Sequence, residues 1–220
     1  MSQFTRPISR QQLLEIVDHT LLKSETTEAE CLEFLRDAEQ LGVRRICISP
    51  TFLGLVSPLE RVTVVGFPSG AHTAEAKAFE ALQARNAGAT EFDVVANVGN
   101  IHSANYAALV AELSAVREVT SGLVLKVILE TASLSDQEIR SSCLVARDVG
   151  CDFVKTSTGF HPAGGASLHA VALMRKTVGE ELGVKASGGI RTADQASAML
   201  EAGATRLGLS ATGQIVNEWE

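Results

Sequence analysis

Lys155 and Lys185 each interrupt a short apolar run, in FVKTSTGF (residues 153–160) and GVKASGGI (residues 183–190), and small and glycine residues follow both. An ammonium buried there without a partner costs several kcal/mol or loses its proton. A neutral lysine attacks carbonyl carbon, so the repeated placement points to imine chemistry on an aldehyde or ketone. A second cation nearby lowers the pKa of the first, so one lysine can activate the other; spacing alone does not say which attacks. A protonated imine draws electrons from the adjoining carbon–carbon bond. A nearby carboxylate able to carry protons would complete the groups needed for aldol cleavage.

Alternation supplies that carboxylate. In EFDVVAN (residues 91–97), Phe92, Val94 and Ala96 form an apolar face, leaving Glu91, Asp93 and Val95 on the other. Likewise Lys126, Ile128 and Glu130 oppose Leu125, Val127 and Leu129. Phe153 and Lys155 oppose Val154, and Lys185 and Ser187 oppose Val184 and Ala186. With the apolar faces packed against helices, Asp93, Lys126, Lys155 and Lys185 form a ring of inward charge on four consecutive strands. A purely structural ion-pair network is the competing reading, but such networks stabilise weakly beside an apolar core of equal volume.

The elements that must position this ring repeat along the chain. Short β-branched runs at residues 19–22, 44–49, 61–67, 91–96, 123–129, 152–156, 184–187 and 205–209 alternate with amphipathic stretches such as residues 103–120. Thr27, Ser135 and Thr192 are placed to cap helices that close near Gly42, Gly150 and Gly203. Residues 50–58 are too few and too broken by glycine and proline for a full helix. The pattern predicts a (β/α)₈ barrel over residues 1–220, one catalytic domain with an extra N-terminal helix at residues 9–18. A doubly wound open sheet is the alternative.

A phosphate site is also predicted. Gly188 and Gly189 follow the seventh strand just ahead of a helix capped near Thr192, and RLGLSAT sets Gly208 and Ser210 after the eighth. Barrels hold phosphates at these turns, where backbone N–H groups and a helix N-terminus supply positive potential and glycine permits close approach. Glycine as plain turn punctuation is the alternative for either turn alone. The stretch GFHPAGG (residues 159–165) lacks the lysine and hydroxyl residue of a P-loop and reads as a loop covering the substrate.

Composition narrows the partners. The net charge is −7 over 220 residues and no basic run offsets it, which argues against a nucleic-acid partner and for a small anion held locally. No 18 apolar residues run together, and MSQFTRPISRQQ has no signal core, so a soluble, cytoplasmic chain with no membrane partner is expected. Cys31, Cys47, Cys143 and Cys151 form no CxxC pair and read as reduced, buried thiols, with Cys47 placed where it could face the site. The five histidines show no ligand-pair spacing, so neither metal nor cofactor is expected; His72, His102, His161 and His169 read as loop or helix-end residues.

Along nearly its whole length the chain resembles the deoxyribose-phosphate aldolase family, through DHTLLK (18–23), VTVVGFPSG (62–70), EFDVVAN (91–97), KVILET (126–131), VKTSTGF (154–160) and VKASGGIR (184–191), in the family's order. The resemblance implies a class I aldolase, an aldehyde-lyase reversibly cleaving 2-deoxy-D-ribose 5-phosphate to D-glyceraldehyde 3-phosphate and acetaldehyde in deoxyribose phosphate catabolism, without metal. It implies Lys155 as Schiff-base nucleophile, Lys185 as the perturbing cation, Asp93 as acid/base, and supporting roles for Lys126 and Asp18, which His19 would order. It sets Thr158, Gly159, Gly188, Gly189 and Ser210 near the sugar or its phosphate. The chain departs from the family at Ala211, where many members carry a second serine, and in GQIVNEWE, which lacks a C-terminal tyrosine. Another Schiff-base phosphosugar aldolase or transaldolase-like enzyme stays open, as does a non-catalytic phosphosugar-binding barrel, which would have no need of Asp93 and two inward lysines. A symmetric dimer is the default assembly.

Overall fold

The computed structural model describes residues 7–219. The first six residues of the polar N-terminal stretch, and Glu220 of the tail, lie outside them. Helix α1 (Arg10–Ile16) leads into β1 (Val17–Leu21), α2 (Glu28–Leu41), β2 (Arg45–Ile48) and β3 (Glu60–Val65). Then come α3 (Ala74–Asn86), β4 (Glu91–Val95), α4 (Val98–His102), α5 (Tyr106–Val119), β5 (Val124–Ile128) and α6 (Asp136–Val149). The chain continues through β6 (Phe153–Lys155), α7 (Leu168–Val178), β7 (Gly183–Ser187), α8 (Ala193–Glu201), β8 (Arg206–Leu209) and α9 (Thr212–Asn217).

All eight anticipated strands form. Each pairs in parallel with the next, and β8 returns to β1, closing a TIM barrel preceded by an extra helix. Closure places most outward apolar side chains under helices: Phe92, Val94, Leu125, Val127, Val154, Val184 and Leu207 are fully buried. Full burial of side chains of this size contributes about 1.5–3 kcal/mol each. The helices begin where the sequence offers reciprocal caps, Thr27 with Glu30, Ser135 with Glu138 and Thr192 with Gln195. Two end on a glycine in the left-handed region, Gly42 at φ 75° and Gly150 at φ 83°. The connection after β2 holds only a 3₁₀ turn, Pro50–Phe52, as its composition requires.

Three details differ from expectation. The helix expected at 103–120 forms as α5, starting at Tyr106, and a short extra helix, α4, precedes it; Ala104 at φ 53° separates the two, and the Asn97 and Asn105 side chains cap their starts. The first helix stops at Ile16, so Asp18 is a strand residue pointing into the barrel rather than a helix end. Gly208 lies within β8, paired with Ser187 and Asp18, not in the turn beyond it. The α8 cap is Ala202, with Gly203 next at φ 112°. Among the described residues no helix is long and apolar enough to cross a membrane.

Candidate active site

Inside the barrel Asp93 is the hub. Its Oδ1 accepts from Lys126 Nζ at 2.8 Å, and its Oδ2 accepts from Lys155 Nζ and from Lys185 Nζ, both at 2.7 Å. Strand register brings them together: Asp93 is level with Lys126 across β4 and β5, and Lys155 with Lys185 across β6 and β7. Lys185 also donates to Asp18 Oδ2, whose other oxygen accepts from Arg206 Nη1 at 2.8 Å. Below this, Glu91 gathers Lys126 at 2.6 Å, Arg206 at 3.2 Å and Arg45 at 3.0 Å. Two glycines make room. A Cβ on Gly208 would stand 3.1 Å from Lys185 Cε, and one on Gly183 would strike the ring of Phe153, over which Arg206 lies at 5.1 Å.

The lysines do not share one environment. Lys126 and Lys185 are fully buried and each contacts more than one carboxylate, whereas among the described residues Lys155 has Asp93 alone. Burial pushes the Lys155 pKa down; Asp93 pulls it back and Lys185 pushes it lower again, for a net depression. Burial opposes the charge of Lys185 too, but Asp18 and Asp93 outweigh it and hold that ammonium well above the ordinary lysine range. Asp93 is likewise held ionised: burial opposes its charge, and Lys126, Lys155 and Lys185 together prevail. An amine with a depressed pKa beside a fixed ammonium and a fixed carboxylate is an arrangement suited to imine formation.

Lys155 also borders a cavity of about 260 Å³ at the C-terminal ends of the strands. Thr158, Gly159, Gly188, Gly189, Gly208 and Ser210 line it as well, so the candidate phosphate turns and the candidate nucleophile share one space. Gly188 at φ 88° lies against Gly159 and Gly165, where a Cβ would meet backbone at 3.1 to 3.2 Å; the loops after β6 and β7 touch here through glycine alone. Phe160 covers the cavity edge-on to Phe67, in keeping with a covering loop over residues 159–165. Ala211 gives α9 no side-chain cap.

Some expectations change. His19 does not order Asp18: the two face opposite sides of β1, and His19 turns outward to stack on Phe34 and hydrogen-bond Thr212 Oγ1 at 2.7 Å. Burial lowers its pKa to about 4. Cys47 does face the barrel interior, packed with Leu22, Val62 and Val64, and burial raises its thiol to about 11, so it is a poor nucleophile. Cys143 and Cys151 are raised to about 12 by burial. His102 and His169 pair with Glu138 and Asp136 at helix ends, and no cluster of three metal-ligating side chains occurs among the described residues. Arg206, Arg45 and Glu91 join the charge cluster although nothing but alternation marks them in RLGL, RICI and EFDVV.

The comparisons fit this geometry. A family model described as DeoC/LacD family aldolase matches residues 13–216. A deoxyribose-phosphate aldolase of Corynebacterium diphtheriae is 52% identical over 213 residues, covering 96% of this chain and 98% of its own. One of Kocuria rhizophila is 51% identical over 212 residues, 95% of this chain and 97% of its own. The solved deoxyribose phosphate aldolase of Aeropyrum pernix, described as tetrameric, superposes with a TM-score of 0.87 at 31% identity, over 94% of this chain and 90% of that one. With a closed eightfold barrel, buried lysines inside it and matches spanning almost every element, the chain belongs to the DeoC/LacD family of aldolases.

Proposed function

We propose that this chain, as one catalytic barrel, reversibly cleaves 2-deoxy-D-ribose 5-phosphate to D-glyceraldehyde 3-phosphate and acetaldehyde through a Schiff base on Lys155. The observation that carries the choice of nucleophile is the contrast among the three lysines: only Lys155 borders the cavity, and it alone relies on a single carboxylate. The neutral amine adds to the C1 aldehyde of the open-chain sugar, and loss of water leaves a protonated imine. Removal of the proton from the C3 hydroxyl lets the C2–C3 electron pair move onto the imine nitrogen, releasing glyceraldehyde 3-phosphate and an enamine. Protonation of that enamine and return of the water free acetaldehyde and Lys155.

Asp93, 2.7 Å from the reacting nitrogen, is the group that carries protons between nitrogen, hydroxyl and water. Lys185 stays charged and disfavours an ammonium on Lys155, while Lys126 and Asp18 hold Asp93 and Lys185 in place. Backbone N–H groups near Gly188 and Gly189, with the Ser210 hydroxyl, take the phosphate; Ala211 offers no second hydroxyl. No metal has a part in these steps. A symmetric dimer is the assembly read here, and light scattering that gives a mass other than two chains refutes it.

Borohydride added with acetaldehyde or the phosphosugar tests the chemistry. A reduced adduct on Lys155, with turnover unchanged by chelators, is expected. No adduct, or an adduct on Lys185, overturns the assignment.

A further inference from the structure

Glu130 lies two residues beyond the end of β5 and is buried, yet no lysine, arginine or histidine pairs with it among the described residues. Its backbone takes φ 63°, ψ 52°, and Ala104, in a surface turn, is the other described non-glycine residue with positive φ. A side-chain-bearing residue persists in that region when its surroundings over-determine it. Here the surroundings are Thr158. The Thr158 backbone N–H donates to both Glu130 oxygens at 3.3 Å, and the Thr158 hydroxyl donates to Oε2 at 2.6 Å.

That pairing fixes what Thr158 can do. A threonine hydroxyl has one proton and two lone pairs. The proton goes to Glu130, and one lone pair takes the Phe160 N–H at 3.1 Å. One lone pair remains, on a residue that borders the cavity. An acceptor of this kind receives a substrate O–H and repels a phosphate oxygen, which has no proton to give.

We infer that Glu130 is a positioning residue that presents Thr158 to the cavity as an acceptor only, selecting an aldehyde that bears a hydroxyl group. The inference rests on the aldolase reading above, and it separates two jobs: Thr158 reads the sugar hydroxyl, and the turns at Gly188, Gly189 and Ser210 read the phosphate.

The test uses two aldehydes in condensation with acetaldehyde. D-glyceraldehyde 3-phosphate carries one hydroxyl, and 3-phosphooxypropanal is the same molecule without it. The wild-type enzyme should favour the first in kcat/KM by about 10- to 100-fold, the range expected of a buried hydrogen bond to a polarised partner. Glu130→Gln, whose amide donates to Thr158 and frees the hydroxyl proton to turn toward the cavity, should bring the ratio toward one. Glu130→Gly, which relaxes the positive φ, should do the same, and Thr158→Val likewise. Adding Glu130→Gln to Thr158→Val should change the ratio no further. If Glu130→Gln does not fold, the glycine and valine variants decide. A wild-type ratio of one, or variants that lose rate equally on both aldehydes, overturns the inference. Failure of the underlying reading looks different: the wild-type enzyme turns over neither aldehyde and traps no adduct on Lys155, which sinks both.

Discussion

Replacing Lys185 with leucine removes one charge from the cluster and should move the reactivity of Lys155 by a calculable amount. The two amines lie 2.7 Å from the same Asp93 oxygen. They are therefore about 5 Å apart at most, and at an effective permittivity of about 20 two unit charges at that separation repel by about 3 kcal/mol, roughly two pKa units. Lys155 faces Asp93 on β4, Lys185 on β7 and Cys47 on β2; of these, Lys185 supplies the cationic repulsion and Asp93 the opposing attraction. In the variant the repulsion vanishes and Asp93 has one fewer ammonium to serve, so both changes raise the Lys155 pKa. The neutral amine is the nucleophile, so the acidic limb of the kcat/KM profile should move about two units toward alkaline pH. At neutral pH the rate should fall about 100-fold and recover as pH rises. The pH dependence of borohydride trapping on Lys155 should shift in parallel, with circular dichroism and size unchanged. A midpoint that stays put, or moves to lower pH, in a folded variant refutes the coupling between the lysines.

Other perturbations test the frame around the site. Asp18→Asn leaves Lys185 and Arg206 without a shared carboxylate and should cost about 3–5 kcal/mol in urea unfolding, as for other broken buried pairs; an unchanged midpoint would show the pairing to be idle. Gly208→Val puts carbon against Ser187 Cβ and Lys185 Cε, where a Cβ alone already comes to 3.0 and 3.1 Å, and should lower stability by about 1–3 kcal/mol together with activity; full activity would show that β8 has room. Burial holds His19 neutral, with its pKa lowered from 6.5 to about 4. The unfolded chain therefore binds the extra proton first, and stability should fall by about 3 kcal/mol as pH drops from about 6.5 to about 4. In His19→Gln that slope should disappear from urea titrations taken at several pH values, and its persistence would assign the slope to other groups.

How much of this was legible before the structure depends on which physical rule governed each residue. Strand alternation is strict, so the inward placement of Asp93, Lys126, Lys155 and Lys185 follows from the apolar partners beside them. The same rule reaches Arg206 in RLGL and Arg45 in RICI, and a count of all inward charges would have found them. Alternation also separates Asp18 from His19, adjacent residues that cannot share a side of β1; nearness in sequence points the wrong way there. Glu130 is different. Its inward direction is readable, but its grip on Thr158 depends on a left-handed backbone that no propensity of glutamate announces. The short α4 ahead of α5 likewise turns on Ala104 at positive φ, between two asparagine caps that resemble ordinary polar residues. Local chemistry marks strands and caps; pairs made across the barrel need the closed register.

That register yields a charge count with a chemical consequence. Around the hub stand three carboxylates, Asp18, Glu91 and Asp93, and four potential cations, Lys126, Lys155, Lys185 and Arg206. Arg45 divides itself between Glu91 and Glu60 and does not change the balance. Buried charge must be compensated, so one of the four cations is in excess and the cheapest relief is loss of a proton. Arg206 cannot give one up, because a guanidinium stays protonated in proteins. Lys126 and Lys185 each touch at least two carboxylates, and Asp18 and Asp93 hold the Lys185 ammonium charged. Lys155 shares Asp93 with both and has no other anion among the described residues. The proton is held least firmly on Lys155, the amine of this cluster that borders the cavity, so the barrel's charge imbalance and the site's demand for a neutral nucleophile have the same solution.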